Sequence, residues 1–286
     1  MPHKIYINGK LVPENSAFIS VFDRSYLYGE GVFETMRAYK GRPAFCDMHY
    51  HRLKSNCEKL KIELPVDEYA FERDVIKTIN ANKVKEAYVR VNVSLIGLSV
   101  GFARPPKTKT NFTIFAKPFI GRPDAVYRNG AKVALIESVF ADDPEVAEIK
   151  STNYLTKMIA RREALDKKSD EGLFQSRDGF ILEGTATNLF AVKKGRLFTP
   201  PLSDGCLPGI TRWVIMGLAE NLDIPCKEAS LDKEDLKGVD EIFLTGSTSE
   251  ILPVREVTGL AKKSPSPGPV TAKLMKAYKQ LVTARI

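Results

Sequence analysis

The spacing of apolar and polar positions along this 286-residue chain changes period several times, and each change marks an element. Lys4–Ile7 is short and β-rich, Asn8-Gly9 is the strongest short hairpin signal, and Lys10–Val12 forms the return strand. Gly29 and Gly31 precede Val32–Tyr39, where period 2 puts Phe33, Thr35, Arg37 and Tyr39 on one face. Val32, Glu34, Met36 and Ala38 take the other face. Asp47 is positioned to cap a helix running to about Leu60, and Asp67 another to about Ala81. Alternation returns over Glu86–Leu98: Tyr88, Arg90 and Asn92 face one way, Val89, Val91 and Val93 the other. Asn111–Lys117 is a further strand.

Beyond it, Pro118, Gly121, Pro123 and Gly130 punctuate a stretch that reads as a linker. Strands are expected at Ala131–Glu137, Gly172–Gln175, Phe180–Glu183, Asn188–Val192, Arg196–Thr199 and Glu241–Thr245. Helices are expected at Tyr154–Lys167, Ile210–Asn221, near Leu231–Leu236 and at Ala272–Thr283. This order predicts an α+β protein of two domains, a smaller one over 1–118 and a larger one over 131–286, joined by 119–130.

Composition narrows the class without choosing a function. The chain is 43% hydrophobic and 27% charged, which excludes disordered, collagenous and disulfide-scaffold proteins. Cys46, Cys57, Cys206 and Cys226 match no metal or redox spacing, and only three histidines accompany them, so no metal site is expected. The net charge of +8 is spread along the chain, and its small basic clusters, Lys107–Lys109 and Lys262–Lys263, sit beside prolines. A solvated surface explains them better than a nucleic-acid groove. No stretch resembles a secretory signal or approaches the roughly 20 apolar residues of a membrane span, so a soluble cytoplasmic protein is expected.

Two glycine turns carry the first chemical hint. In Leu207-Pro208-Gly209-Ile210-Thr211-Arg212, a Pro-Gly turn opens into a helical pattern, which aims the N–H groups of Ile210 and Thr211 outward beside a hydroxyl. In Gly246-Ser247-Thr248-Ser249, a strand ends in a glycine followed by three hydroxyl residues. Each turn alone fits a plain helix cap or a polar loop equally well. Neither a GxxxxGK nor a GxGxxG motif is present, so the pair points to a small phosphorylated ligand rather than a nucleotide.

Pyridoxal phosphate is such a ligand, and it requires a Schiff-base lysine and an acid at its ring nitrogen. Lys150, after apolar Ile149 and before a polar turn, is one candidate among many lysines. Glu183, at a strand end followed by Gly184 and small residues, is the candidate acid, though a surface-turn acid would read the same way.

In combination these segments resemble the class IV aminotransferases, which include branched-chain and D-amino-acid aminotransferases and 4-amino-4-deoxychorismate lyases. The likeness runs from Tyr6-Ile-Asn-Gly9 to Glu250-Ile-Leu-Pro-Val254, through GEGVFETMRAY at 29–39, HRL at 51–53, KSTNYL at 150–155, LEGTATNLF at 182–190, LPGITR at 207–212 and GSTSEI at 246–251. It implies a two-domain fold with pyridoxal phosphate between the domains, Lys150 as the Schiff-base lysine and Glu183 at the pyridine nitrogen. It also implies Tyr154 at the phenolic oxygen, Arg52, Ile210, Thr211 and Ser247 at the phosphate, and Leu207 against one ring face. The residues alone did not suggest Arg52, which reads as an ordinary helix-surface position.

The resemblance further implies amino-acid and 2-oxo-acid substrates and a homodimer or higher homo-oligomer, with no nucleic-acid or membrane partner. Tyr28 and the loop after Tyr88–Val93 are candidates to complete a neighbouring chain's pocket. The substrate-facing set is Tyr28, Phe33, Thr35, Arg37, Tyr88, Arg90 and Thr248. Arg90 is the first choice for the substrate carboxylate, because its planar fork matches one bidentately, and Arg37 is the second. Phe33 and Arg90 resemble the branched-chain enzymes, and the arginine-rich loop typical of D-enzymes and lyases is replaced by Ser-Leu-Ile-Gly-Leu-Ser-Val-Gly at 94–101. Thr35 instead resembles the lyases. A transaminase is expected before a lyase, with stereochemical preference left open; a non-catalytic ligand- or nucleic-acid-binding protein is the reading from another class.

Overall fold

The structure, a computed structural model, describes residues 3–97, 101–104, 108–141, 143–260, 262–264 and 266–286. The last residue of the expected strand Glu86–Leu98 and part of the 94–101 loop lie outside the described residues. The chain divides into two compact units, one comprising 1–120, 149–154 and the last two residues, the other 121–148 and 155–284.

The first unit contains β1 (Lys4–Ile7), β2 (Lys10–Pro13), α1 (Arg24–Tyr28), β3 (Gly31–Tyr39), β4 (Arg42–Pro43), α2 (Cys46–Lys59), α3 (Glu68–Ala81), β5 (Ala87–Ile96) and β6 (Lys109–Pro118). Its strands form one antiparallel sheet in the order β2-β1-β6-β5-β3-β4. The alternation expected for β3 and β5 is what separates its two faces. Val32, Met36, Ala38, Val89, Val91 and Val93 are fully buried against Leu53 and Cys57 of α2 and Phe71, Val75 and Ile79 of α3. Thr35, Arg37, Tyr88, Arg90 and Asn92, on the opposite face, are half-buried. Asp67 caps α3 by accepting the Ala70 N–H, as its spacing implies. Asp47 does not cap α2: the N-cap is Phe45, in a left-handed conformation, and Asp47 falls inside the first turn, where its charge still suits the helix dipole.

The second unit contains α4 (Asp124–Asn129), β7 (Ala131–Leu135), α5 (Pro144–Ala147), α6 (Leu155–Asp166), β8 (Glu171–Gln175), β9 (Ile181–Gly184), β10 (Asn188–Lys193) and β11 (Arg196–Thr199). They are followed by α7 (Ile210–Asn221), β12 (Cys226–Glu228), α8 (Lys233–Lys237), β13 (Glu241–Gly246), β14 (Glu250–Thr258), β15 (Lys262–Lys263) and α9 (Pro269–Arg285, whose last residue groups with the first unit). The sheet runs β12-β11-β10-β13-β14-β7-β8-β9, and β9 pairs back onto β10, so six of its strands close on themselves. Closure removes the free edge of β9 and encloses Leu135, Leu173, Ile181, Leu189, Leu244, Leu252 and Val254 in one core. The register at the seam is Asn188 opposite Glu183. Tertiary pairing thus places a candidate site residue on the closing strand.

Candidate active site

In the first unit, the segment carrying Lys150 is tied to the start of β3. The Phe33 N–H donates to the Lys150 carbonyl at 3.0 Å, the Thr152 N–H donates to the Gly31 carbonyl at 2.8 Å, and Val32 bridges Ser151. A Cβ at Gly31 would lie 2.8 Å from Ser25 Cβ of α1 and 3.1 Å from Thr152 Oγ1, so glycine lets the start of β3 sit this close to both α1 and the Lys150 segment. Lys150 Nζ lies 4.6 Å from the centre of the Phe33 ring, and Tyr154 meets the same ring edge-on at 5.2 Å. Lys150 and Tyr154 are half-buried.

The Phe33 ring also receives the Arg90 guanidinium, at 3.6 Å. Arg90 Nε donates to Asn92 Oδ1 at 2.8 Å, and Thr35 stands directly across the strands from Arg90. Arg37 is held elsewhere on this face, between the Tyr39 and Phe119 rings at 4.3 and 4.2 Å, with Glu86 at 3.6 Å. Tyr88 pairs across from Arg37 and stacks on Phe115 at 6.2 Å. Of the two arginines, Arg90 is the one that shares the Phe33 ring with the lysine. Tyr28 Oη accepts the Gly101 N–H of its own chain at 2.7 Å, and its ring lies 6.0 Å from Phe102.

On the other face of β3 the structure corrects the view of Arg52 as a surface residue. Arg52 forks onto Glu34, Nε to Oε1 and Nη2 to Oε2, each at 2.7 Å, and its side chain is only 10% exposed. His49 Nδ1 approaches Glu34 Oε2 at 2.6 Å, and Glu34 and His49 are fully enclosed. Burial alone would push the Glu34 carboxyl up, but Arg52 and His49 outweigh it and hold the group far below the usual carboxylate range. Burial pushes the His49 imidazole down, against the pull of Glu34, and the Arg52 and Lys150 charges lower it further. Sequence reasoning missed Glu34 and His49. Their signal was an acid on the otherwise apolar face of β3, with a histidine and an arginine three apart on the next helix.

In the second unit, Glu183 is 4% exposed at the end of β9. Its Oε2 accepts the Leu207 N–H at 2.9 Å and the Asn188 amide at 3.2 Å; its Oε1 accepts Lys157 Nζ at 2.9 Å. Asn188, another residue missed, also donates to the Leu207 carbonyl at 2.9 Å, and its Oδ1 fills the space that a side chain at Gly209 would need. A polar amide opening the apolar run Leu189–Val192 was its only trace in the sequence. Gly209 caps α7 without a side-chain acceptor, and Ile210 and Thr211 are buried in its first turn. Ser247 and Thr248 are half-buried in the β13–β14 turn, where the Ser249 N–H donates to the Gly246 carbonyl at 3.1 Å.

These donors suit pyridoxal phosphate. An uncapped helix start with a hydroxyl, and a hydroxyl-rich turn, suit a phosphate, while a buried carboxylate suits a ring nitrogen. Thr187 Oγ1, packed beside Gly184 and near Gly246, is buried without a hydrogen-bond partner among the described residues, so a polar group is in reserve next to that turn.

Known proteins resemble this chain over nearly its whole length. The family model for amino-transferase class IV matches residues 31–257. The chain is 34% identical to a branched-chain-amino-acid aminotransferase of Salmonella typhimurium, covering 98% of this chain and 93% of that one. It is 33% identical to an aminodeoxychorismate lyase of Bacillus subtilis, covering 96% and 94%. The crystal structure of the Escherichia coli branched-chain amino acid aminotransferase superposes with a TM-score of 0.93 at 30% identity, covering 99% and 96%. With the family model spanning most of the chain and a relative 34% identical over nearly all of it, the chain belongs to the class IV aminotransferases.

Proposed function

We propose that this enzyme binds pyridoxal phosphate through Lys150 and exchanges amino groups between small amino acids, branched-chain-like or D-amino acids, and 2-oxo acids. The observation that carries the substrate reading is Arg90, whose guanidinium rests on the same Phe33 ring that Lys150 Nζ approaches and presents a fork sized for one carboxylate. When bound, the cofactor supplies an electron sink for the charge left at the substrate α-carbon. Lys150 Nζ takes the α-proton and returns it, a role that requires its amine to be uncharged and close. Glu183 holds the proton at the ring nitrogen, fixed in place by the Leu207 N–H and Asn188. Arg52, the α7 start at Ile210 and Thr211, and Ser247 hold the phosphate; Leu207 and Tyr154 position the ring. Phe33 walls off water above the lysine, and Tyr28, Tyr88 and Thr248 bound the substrate.

A homodimer completes the reading, supported by the exposed apolar side chains Phe18, Ile19, Val21, Tyr26 and Phe102 in the first unit. Among the described residues no helix is long and apolar enough to cross a membrane, and with all four thiols unpaired the cytoplasm is the compartment we assign. One observation favours a second reading, aminodeoxychorismate lyase: the Thr35 hydroxyl stands opposite Arg90, where it could deliver a proton to a departing enolpyruvyl carbon. The test offers L- and D-amino acids with 2-oxoglutarate or pyruvate, and aminodeoxychorismate separately. Amino transfer from one donor class, with the cofactor fixed to Lys150 by borohydride, supports the transaminase. Rapid 4-aminobenzoate release with negligible transfer from every amino acid would establish the lyase.

A further inference from the structure

Lys157 is the third residue of α6, near the helix's positive end, a place where a lysine is disfavoured and where acids are the usual choice. The first turn of α6 contains no acid to compensate it. Its ammonium turns instead to Glu183 Oε1, at 2.9 Å, with side chains 17% and 6% exposed. Glu183 therefore carries three donors already, two neutral ones on Oε2 and one full cation on Oε1. A carboxylate has about four acceptor positions, so a ring N–H can still be accommodated as the fourth donor. Its proton would then share one carboxylate with an ammonium. Cys206, Asp204 and Arg212 also lie near this pair, and Glu171, whose side chain packs against Gly184, is met by Arg161 one turn further along α6. The Arg212 guanidinium is committed to Glu228 and to the Pro200 carbonyl.

We infer that Lys157 is a positioning residue that competes with the cofactor's ring nitrogen for Glu183, so that the bound ring holds its proton less firmly than Glu183 alone would hold it. This rests on the reading that Glu183 faces that nitrogen. Two consequences follow from like-charge repulsion across a shared carboxylate. Lys157 holds Glu183 oriented before the cofactor arrives, and it weakens the carboxylate's hold on the ring proton afterwards. The electron sink is thereby tempered by a residue that never touches the ring.

The test reconstitutes the protein with ring-15N pyridoxal phosphate and reads the ring-nitrogen chemical shift and the cofactor dissociation constant at neutral pH. Lys157→Met should move the shift towards the pyridinium value and tighten binding by about threefold to tenfold, as expected when a like charge sharing the same carboxylate is removed under partial screening. Lys157→Arg, which keeps the charge, should match the parent protein. Glu183→Gln separates the two layers of the argument. If Glu183→Gln leaves the ring-nitrogen shift unchanged, Glu183 is not the ring's partner and the underlying reading fails. If Glu183→Gln moves the shift but Lys157→Met leaves shift and affinity at the parent values, or loosens binding, the role of Lys157 alone is overturned. A melting curve for each variant confirms that a folded protein is being compared.

Discussion

Replacing Glu34 by glutamine removes one negative charge from an enclosed cluster and leaves its shape almost intact. Three charge-assisted contacts end on that carboxylate, two from Arg52 at 2.7 Å and one from His49 at 2.6 Å. A glutamine can accept from only one side, and its amide turns a donor towards the other, so at least one Arg52 or His49 N–H faces another donor. Breaking a buried ion pair from one side costs about 3–5 kcal/mol. Part of that is recovered by the surviving acceptor, and about 3 kcal/mol is expected for Glu34→Gln. For a chain of this size, at roughly 2–4 °C per kcal/mol, the melting temperature should fall by about 6–12 °C.

The functional consequence is separable from the loss of stability. If Arg52 holds the cofactor phosphate, Glu34 sets the angle of its fork, and Glu34→Gln should weaken pyridoxal phosphate while sparing pyridoxal, which lacks the phosphate. One charge-assisted hydrogen bond lost or misaligned is worth about 1.5–3 kcal/mol, or roughly tenfold to a hundredfold in the dissociation constant. Titrating both forms into the apoprotein below its melting range measures the ratio directly. Equal losses for the two would show that Glu34 supports only the fold and that Arg52 does not reach the phosphate.

The remaining expectations concern Arg90 and the acid response. Arg90→Ala should raise KM for the preferred amino acid about tenfold to a hundredfold while leaving the lysine-bound cofactor spectrum unchanged; an unaltered KM, with a rise in Arg37→Ala instead, would transfer the carboxylate to Arg37. His49 has a folded pKa below its ordinary 6.5, so the unfolded chain binds more protons as pH falls through that value. Its stabilising contribution is present above about pH 6.5 and declines below it, towards the depressed folded value. Glu34, also depressed, adds its own loss only once pH drops through the usual carboxylate range near 4.5. Melting temperature against pH should therefore begin to fall just below neutrality, and His49→Asn should flatten that first limb; an unchanged slope in the variant would refute the assignment.

The parts of this protein legible in the sequence are those whose causes are local. The Asn8-Gly9 hairpin, the alternation of β3 and β5 and the Pro-Gly start of α7 each follow from a few neighbouring residues, and Ile210–Asn221 is the helix the spacing predicts. What stayed hidden depends on partners far along the chain. Glu34 looks like any strand glutamate until α2 lays His49 and Arg52 over it. Asn188 looks like an ordinary strand start until β9 closes onto β10 and sets it opposite Glu183. β14 (Glu250–Thr258) was missed because Pro253 and a charged edge break its pattern, although its pairing with both β13 and β7 is extensive. Arg52 was recognisable only through resemblance, since an arginine buried by an acid and one exposed to water are the same letter.

Strand β3 also explains how one scaffold can serve different reactions. Consecutive residues point to opposite faces, so Glu34 belongs to the Arg52–His49 anchor while Phe33 and Thr35 belong to the substrate side. The pairing of Gly31–Ala38 with β5 runs without a bulge, and the Lys150 segment is fixed to the same register through Val32 and Ser151. A slip of one residue would exchange the two faces and destroy both sites together, which forces this register to be kept whatever the reaction. Within it, Thr35 and Arg90 can change without disturbing Glu34, because the sheet separates them. On the roles proposed for these residues, substrate and reaction choice can vary on one face while cofactor anchoring is kept on the other.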